Sequence, residues 1–170
     1  MTQAQSNPFP HSDSNKRYYT YDYYLRETFG GKCAKLPLDA GLTCPNIDGR
    51  CGSGKSSLAR LMEQVFSCNV FHMDDFYLPW NRRVENWMSV PGGNMDLERF
   101  RVEILDPVFA EQDVCYRRFD CGTGKVGEGE LIPAKALTVI EGSYSHHPAL
   151  HADYDLKIFL TCEKQEQRQT

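Results

Sequence analysis

The sequence predicts an α/β fold in which a parallel sheet is flanked by helices. A glycine-rich loop at residues 49–56 leads directly into a helical apolar repeat. Short apolar runs at 69–73, 137–140 and 156–160 have the character of strands that are buried on both faces. Because these strand and helix patterns alternate along the chain, an α/β architecture is favoured over separate α and β layers.

Composition limits the kinds of partner and compartment. The chain has 170 residues, of which 41% are hydrophobic, enough for the core of one domain. A formal charge of -4 and a pI near 5.7 argue against nucleic acid or an anionic membrane as partners. Seven cysteines without a CxxC pair indicate reduced thiols. We expect a cytoplasmic protein. The sequence leaves its oligomeric state open, and a homo-oligomer is one alternative.

The amino-terminal region has a different composition from the rest. Residues 1–16 are rich in Gln, Ser and Asn, which predicts a disordered tail. Residues 17–30 have aromatic residues near helical spacing, and Gly30-Gly31 is a natural stop. The stretch 32–46 contains two prolines and supports an isolated or edge strand at most.

Two amphipathic helices are predicted. The first follows the glycine loop, and its apolar residues Leu58, Leu61, Met62, Val65 and Phe66 recur at intervals of three and four. The second has Asp96 as its N-cap and Pro107 near its weak end. Its apolar face is formed by Leu97, Phe100, Ile104, Leu105 and Val108.

The glycine-rich loop is a nucleotide-binding motif. Residues 49–56 read GRCGSGKS and match G-x-x-x-x-G-K-[ST] at each defined position. Glycines let successive backbone N–H groups point at phosphate oxygens, and the helix behind the loop adds its positive end. Lys55 is expected to reach the β and γ phosphates of ATP, and Ser56 to offer its hydroxyl to Mg²⁺. The predicted nucleotide-binding residues are Gly49, Gly52, Ser53, Gly54, Lys55, Ser56 and Ser57.

Four acidic residues are candidates for chemistry. Asp74 and Asp75 follow a predicted strand and Glu141 ends another, and ligands of open α/β sheets lie beyond the carboxyl ends of strands. One of the two aspartates could accept a hydroxyl proton, and Glu141 could hold Mg²⁺. The alternatives are solvated loop acids and a helix cap. Asp96 fits either an N-cap or a ligand contact.

Other polar and aromatic residues are weaker candidates. The arginine pairs Arg82-Arg83 and Arg117-Arg118 could meet phosphate, although solvated arginines are commoner. A metal site at His146, His147 and His151 is rejected, because their spacing lacks an acid or cysteine in register. For the two tryptophans, Trp80 and Trp87, core packing is favoured over stacking on a base.

Five segments in order carry a resemblance to a known family. They read IDGRCGSGKSSLA, HMDDFYLP, PGGNMD, YRRFDCGTG and VIEGSYSHHP. On them, residues 47 to about 168 resemble the uridine kinase and phosphoribulokinase branch of P-loop kinases. The resemblance implies a P-loop NTPase-type sheet and transfer of the ATP γ-phosphoryl group to a ribose 5′-hydroxyl.

The same resemblance implies roles for single residues. Asp74 would be the base facing the nucleoside hydroxyl, with Lys55 as its catalytic partner at the phosphates, and Glu141 would be the Mg²⁺-associated acid beside Ser56. Asp96 would bind sugar hydroxyls, and Tyr116 would lie near the base-contacting aromatic, with Arg118 as a further acceptor-binding candidate. The family continues into an arginine-bearing lid, of which Arg168 is the only counterpart, so we expect a fold that is incomplete at the lid.

Residues 17 to about 49 resemble something else. The string RYYTYDYYLRETFGGKCAKLPLDAGLTCPNIDG is similar to the amino-terminal stretch of a bacterial Elongator-like radical-SAM family. Cys44 would match its first iron–sulfur ligand, but no CxxC follows, so the cluster motif is incomplete. We therefore expect a tail at 1–16, a radical-SAM-like remnant at 17–46 and a kinase-like domain at 47–170.

Where the two resemblances meet, Pro45 lies in the strand that leads into the loop. Proline cannot donate to a strand ladder, so we expect the first strand of the sheet to be compromised. The functional hypotheses are an ATP-dependent nucleoside kinase, a non-catalytic ATP-binding fragment and, least favoured, an iron–sulfur radical protein.

Overall fold

The described part of the chain forms a sheet with helices around it and a separate hairpin. The structure is a computed structural model that describes residues 43–150 and 154–161. Several predictions concern residues outside this range. They are the tail and helix at 1–30, the part of the 17–46 segment before Thr43, and the single residues His151 and Arg168. The described residues belong to one compact unit.

Four parallel strands form the central sheet, and three of them lie at the apolar runs that the sequence predicted. The four strands are β1 (Pro45–Gly49), β2 (Cys68–His72), β5 (Leu137–Glu141) and β6 (Leu156–Leu160), in the spatial order β2-β5-β1-β6. The buried apolar residues of these strands include Ile47, Phe71, Val139, Ile140 and Ile158. The run at 156–160 is an edge strand in which Lys157 and Phe159 are exposed, so the prediction of burial on both faces is wrong for it. An α/β fold with a parallel sheet and flanking helices is thereby confirmed.

The expectation of a compromised first strand is wrong. β1 lies between β5 and β6, and every residue of β1 is buried. Pro45 is tolerated because it is the first residue of the strand, where a missing N–H does least harm to the ladder. The two residues just before Pro45 donate their backbone N–H groups to a carboxylate, which positions the start of the strand.

That carboxylate belongs to Asp155. Its Oδ2 accepts hydrogen bonds from Thr43 N (2.6 Å), Thr43 Oγ1 (2.7 Å) and Cys44 N (2.8 Å). Partial burial opposes the charged form, but the three hydrogen bonds outweigh it and lower the pKa of Asp155. The entry to the central strand is therefore fixed by an ionised side chain that precedes β6.

The first predicted helix is confirmed as α1, Lys55–Val65. It begins after Gly54, whose φ of 88° lies in the left-handed region, and ends at Phe66, whose extended backbone leads to β2. Its buried apolar residues are Leu58, Ala59, Leu61 and Met62, on the face that the apolar repeat predicted.

The second predicted helix, α2, spans 97–109 and has an irregular middle. Two α-helical turns, Leu97–Phe100 and Asp106–Phe109, flank a π-helical segment, Arg101–Leu105. Asp96 caps the start, since its side chain accepts from Arg99 N. Pro107 lies in the last turn, near the end of the helix as predicted. The wider π-helical turns before it relieve the clash between its ring and the preceding carbonyls.

A two-stranded antiparallel hairpin was not predicted. It consists of β3 (Val114–Asp120) and β4 (Lys125–Ile132), with a register shift between Arg117 and Phe119. One face of β3 is buried through Val114, Tyr116 and Phe119, whereas most residues of β4 are exposed. The hairpin therefore attaches to the core mainly by β3, with Ile132 at the end of β4 also packed against it.

Within residues 43–150 and 154–161, we find no helix with the length and apolar character that a membrane span requires.

Replacing the charge of Asp155 tests the anchoring of β1. We expect Asp155→Asn to lower the free energy of unfolding at pH 7 by about 1 kcal/mol, since hydrogen bonds to a charged acceptor are replaced by neutral ones on an exposed residue. Because the pKa of Asp155 is lowered in the fold, its contribution is present above the unfolded value, near 3.9, and is lost as the pH falls through the folded pKa.

Urea unfolding of both proteins at pH 7, 5 and 3 measures this difference. The two curves should converge toward pH 3. Glu85→Gln, which removes an equal charge from an exposed residue, serves as the matched control and should have no effect at any pH. A difference that stays constant from pH 7 to 3 would contradict the ionic anchor.

Candidate functional site

The predicted chemical residues gather at the carboxyl edge of the sheet. The phosphate loop follows β1, the segment Met73–Phe76 follows β2, and Glu141 is the last residue of β5. Gly142 continues from β5, and its N–H donates to Ile47 O at 3.0 Å. Parallel strands in register thus bring three separate sequence motifs to one place.

The loop conformation is that of a phosphate cradle. Gly52 and Gly54 have φ values of 73° and 88°, which side-chain-bearing residues rarely adopt. Gly49 has a φ of 146°, and a Cβ there would lie 2.1 Å from Leu160 O. Asp48, which is buried, accepts from Gly49 N (2.5 Å) and His146 N (2.8 Å) and so fixes where the loop leaves the strand.

Two buried polar side chains of the loop suit a phosphate ligand. Lys55 is 8% exposed, and its Nζ donates to Arg50 O at 2.9 Å across the loop. Ser53 Oγ is buried and has no hydrogen-bond partner among the described residues. A buried hydroxyl without a partner costs free energy, which a phosphate oxygen would recover. The loop residues therefore fit a nucleoside polyphosphate.

Ser56 and Glu141, the predicted Mg²⁺ residues, are in contact. Ser56 Oγ donates to Glu141 Oε1 at 3.1 Å, and Glu141 is 4% exposed. A hydroxyl and a carboxylate are oxygen ligands of the kind that Mg²⁺ prefers, and Mg²⁺ typically takes few protein ligands beside phosphates and water. The described residues contain no cluster of three or more His, Cys, Asp or Glu that could hold a metal ion.

His72 joins this pair and was not found from the sequence. Its Nδ1 lies 2.5 Å from Glu141 Oε1, and the side chain is 40% exposed. The hydrogen bond to Glu141 raises the pKa of His72, against the opposing effect of partial burial. The only signal in the sequence was its position as the last strand residue before Met73, since β2 and β5 pair His72 with Glu141.

The adjacent aspartates have different surroundings. Asp74 is exposed, and its Oδ1 accepts from Tyr77 OH at 3.1 Å; burial and the Asp74 charge raise the pKa of Tyr77 to about 12. Asp75 accepts from Tyr116 OH and lies 3.6 Å from Arg118 Nε. Asp74 is the carboxylate that an acceptor could reach, and Asp75 attaches the turn to the hairpin.

Tyr116 lies inside the core. It is 3% exposed, its ring packs edge-on against Phe71, and its hydroxyl also accepts from His72 N at 3.2 Å. Burial and the hydrogen bond to Asp75 raise its pKa. The buried ring offers no open face to a nucleobase, so the contact that the resemblance implied stays a prediction without structural support. Arg118 is 59% exposed, with its guanidinium 4.7 Å from the Tyr116 ring.

Asp96 is buried at the start of α2 and already has partners. One oxygen caps the helix by accepting from Arg99 N at 3.2 Å, and the other accepts from Arg82 Nη1 at 3.0 Å. The structure is compatible with both interpretations of Asp96, an N-cap and a ligand contact. The cap is formed, and the second oxygen faces Arg82, whose side chain is 57% exposed. A hydroxyl ligand would share that oxygen with Arg82.

Arg99 connects the elements around the acceptor side and was not singled out in the sequence. Its Nη2 donates to Asp75 O (2.7 Å), and its Nη1 donates to Arg117 O (2.8 Å) and Glu103 Oε2 (3.2 Å). The guanidinium also lies 4.0 Å from the Phe76 ring centroid. Burial lowers the pKa of Arg99, and Glu103 and Asp96 act in the opposite direction. One side chain thus ties the β2 turn, β3 and α2 together.

The histidines and tryptophans also have defined places. His146 N is bonded to Asp48, and His147 packs near Gly92, where a Cβ would lie 3.3 Å from its ring. Neither belongs to a metal cluster among the described residues. Trp80 is 68% exposed, so core packing, the favoured interpretation, is wrong for this residue.

Comparisons with known proteins agree on the fold. The described α/β architecture is similar to a solved structure of a possible uridine kinase from Bacillus stearothermophilus, with a TM-score of 0.63 and 22% identity over 86% of this chain and 82% of that one. A protein provisionally named a fructose transport system kinase, from Silicibacter sp. TM1040, matches with a TM-score of 0.58 and 26% identity over 79% of this chain and 72% of its own. The fold is that of P-loop kinases.

Sequence comparison adds a different relative. The protein YtqA of Bacillus subtilis (strain 168), which is uncharacterised, is 54% identical over 50 residues, or 29% of this chain and 16% of that protein. The chain thus spans about a sixth of the curated relative that it matches. No family model matches. None of these comparisons supports the resemblance to a radical-SAM family.

Gly49→Ala tests the close approach of the loop to β6. The new Cβ would overlap the Leu160 carbonyl in a backbone conformation that alanine avoids, so we expect unfolding to become easier by about 3 kcal/mol. Gly127→Ala is the matched control, since its Cβ would meet only an ordinary contact at 3.4 Å. Thermal unfolding compares the two. Equal stability of both variants would contradict the close packing at Gly49.

Arg99→Met tests the network on the acceptor side. Removing the guanidinium, which is itself largely buried, leaves the Asp75 and Arg117 carbonyls and part of Glu103 without their donor, and we expect the free energy of unfolding to fall by about 2–4 kcal/mol. Arg99→Lys should recover only part of it, because an ammonium cannot span two carbonyls as a planar fork does. The exposed Arg60→Met is the control, expected within about 0.5 kcal/mol of the parent in urea unfolding.

Proposed function

We propose that this chain transfers the γ-phosphoryl group of ATP to the 5′-hydroxyl of a nucleoside of the uridine type. The single observation that carries the proposal is the meeting of Ser56 and Glu141 at the mouth of the phosphate loop, with Oγ and Oε1 3.1 Å apart. It unites the phosphate loop and a strand-end carboxylate in the arrangement that phosphoryl transfer uses. The fold of P-loop kinases supports it.

Lys55 and the loop glycines would receive the triphosphate. Lys55 Nζ now donates to Arg50 O within the loop, and phosphate oxygens would replace that carbonyl as its acceptor. Ser53 Oγ, buried without a described partner, would gain a bond at the same time. Ser57 is exposed on the first turn of α1, where its hydroxyl is available to phosphate oxygens.

Ser56 and Glu141 would hold Mg²⁺. The ion, when bound, supplies positive charge that offsets the charge developing on the phosphates. Ser56 Oγ would turn from Glu141 to it, while His72 keeps Glu141 oriented through the bond to Oε1. His72 therefore acts as a positioning residue for the acid.

Asp74 would accept the proton of the attacking hydroxyl. The acceptor oxygen bonds to the γ phosphorus as the bond from that phosphorus to the β,γ-bridging oxygen breaks, and ADP leaves. Asp74 is exposed on the turn after β2, where its Oδ1 accepts from Tyr77 OH, so an acceptor can approach it. Asp96 would contact the sugar hydroxyls with the oxygen that Arg82 now holds.

No observation favours an iron–sulfur function. Cys44, which matched the first cluster ligand of the radical-SAM family, is buried at the entry to β1, where its N–H is bonded to Asp155. The partner of the proposed kinase would be a small acceptor molecule, a nucleoside or a related compound. The competing function is ATP binding without turnover, which the experiment below distinguishes from phosphoryl transfer.

The test is a thermal-shift titration with Mg·ATP, followed by ADP release over a panel of nucleosides and simple sugars. We expect saturable stabilisation by Mg·ATP that Lys55→Ala abolishes. Asp74→Asn should keep this stabilisation and lower kcat by roughly 10²- to 10⁴-fold, since it removes only the proton acceptor. Asp106→Asn, an exposed acid on α2, is the control and should leave both measurements unchanged.

Stabilisation by Mg·ATP without ADP release from any acceptor would overturn phosphoryl transfer and leave ATP binding as the function. An equal thermal shift in Lys55→Ala and the parent would overturn the phosphate loop as the binding site.

A further inference from the structure

Arg83 lies between two tryptophan rings on the segment that follows β2. Its Cζ is 4.0 Å from the centroid of the Trp80 ring and 5.0 Å from that of Trp87. Arg83 Nε donates to Leu78 O at 2.9 Å, which fixes the guanidinium in place. We call these three residues the Trp80–Arg83–Trp87 stack. It is held by cation–π contacts rather than by burial in the core.

The outer ring of this stack is open to solvent. Trp80 is 68% exposed, whereas Arg83 and Trp87 are partly buried. A tryptophan buries about 150–250 Å² when it lies in a core. At about 25 cal/mol per Å², that burial stabilises the fold by several kcal/mol, which an exposed tryptophan does not contribute. The indole is nevertheless rigidly supported from behind. A supported, exposed aromatic face is the form that a stacking surface takes.

The stack adjoins the acceptor side of the candidate site. Arg82, the neighbour of Arg83 in the chain, donates to the buried Asp96 at 3.0 Å. On the other side, Gly124 in the β3–β4 turn would place a Cβ 3.6 Å from Trp80 Cδ1. Because glycine has no side chain, the turn comes close without covering the ring. The stack therefore lies beside the hairpin turn, and Arg82, which lies within the same segment, reaches Asp96.

We propose that Trp80, supported by Arg83, binds the planar aromatic ring of the acceptor. This inference rests on the proposed function and specifies the acceptor class: a nucleoside, whose base stacks on Trp80 while its sugar hydroxyls meet Asp96. Stacking on an aromatic face tolerates any base, because every base has a π surface. The buried ring of Tyr116 does not offer such a face.

The test uses the intrinsic fluorescence of the full chain. The chain has only two tryptophans, Trp80 and Trp87, and both belong to the stack, so tryptophan emission reports on it directly. In Trp87→Phe the emission comes from Trp80 alone. We expect uridine to change this emission saturably, and ribose and fructose at equal concentrations to leave it unchanged.

Kinetics give a second measurement. We expect Trp80→Ala to raise the KM for the nucleoside about tenfold or more, the range found when a base loses its stacking partner, while the KM for ATP stays unchanged. Met88→Ala changes a residue that is 79% exposed on the same segment, and it should leave both constants unchanged. Circular dichroism should show the same fold for all variants.

Some outcomes separate this inference from the proposed function. Phosphorylation of a nucleoside with the same KM in Trp80→Ala and the parent would overturn the inference and leave the kinase function standing. An equal emission change with ribose or fructose would also overturn it. Where no acceptor releases ADP, a uridine-specific change in Trp87→Phe would still uphold the stacking site, and no change would overturn it.

Discussion

The carboxylate of Asp155 sets the position of the central strand, and the rest of the sheet depends on it. It binds the backbone of Thr43 and Cys44 just where Pro45 can donate nothing. β1 then pairs with β5 on one side and β6 on the other. Because the phosphate loop, Glu141 and the turn after β2 all follow strands of this sheet, an error in the position of β1 would separate them.

The regular parts of the fold could be predicted from sequence periodicity. α1 has a regular apolar repeat, the strands β2, β5 and β6 are short segments in which most residues are apolar, and the phosphate motif has fixed spacing. β1 could not be placed, because local rules exclude proline from a central strand and the compensating Asp155 lies 110 residues further along. The exposed β4 lacks the apolar alternation that marks a half-buried strand.

The position of a candidate site residue could be predicted where that residue belongs to a sequence motif of its own. Lys55, Ser56, Asp74 and Glu141 all stand at the carboxyl edge of the sheet, as their motifs indicate. His72 and Arg99 were missed because their roles arise from pairing between distant segments: His72 from the register of β2 with β5, and Arg99 from carbonyls of the β2 turn and β3. Such roles leave no local pattern.

The hairpin bears on the behaviour of the protein in concentrated solution. Within the described residues β4 pairs only with β3, so its other edge presents unpaired backbone groups. Exposed edges of this kind promote intermolecular strand pairing and aggregation. In β4, Glu128 and Glu130 alternate with Gly127 and Gly129, which combines charge repulsion with low β propensity. The glycine and glutamate residues of β4 thus disfavour strand pairing between the exposed edges of two molecules.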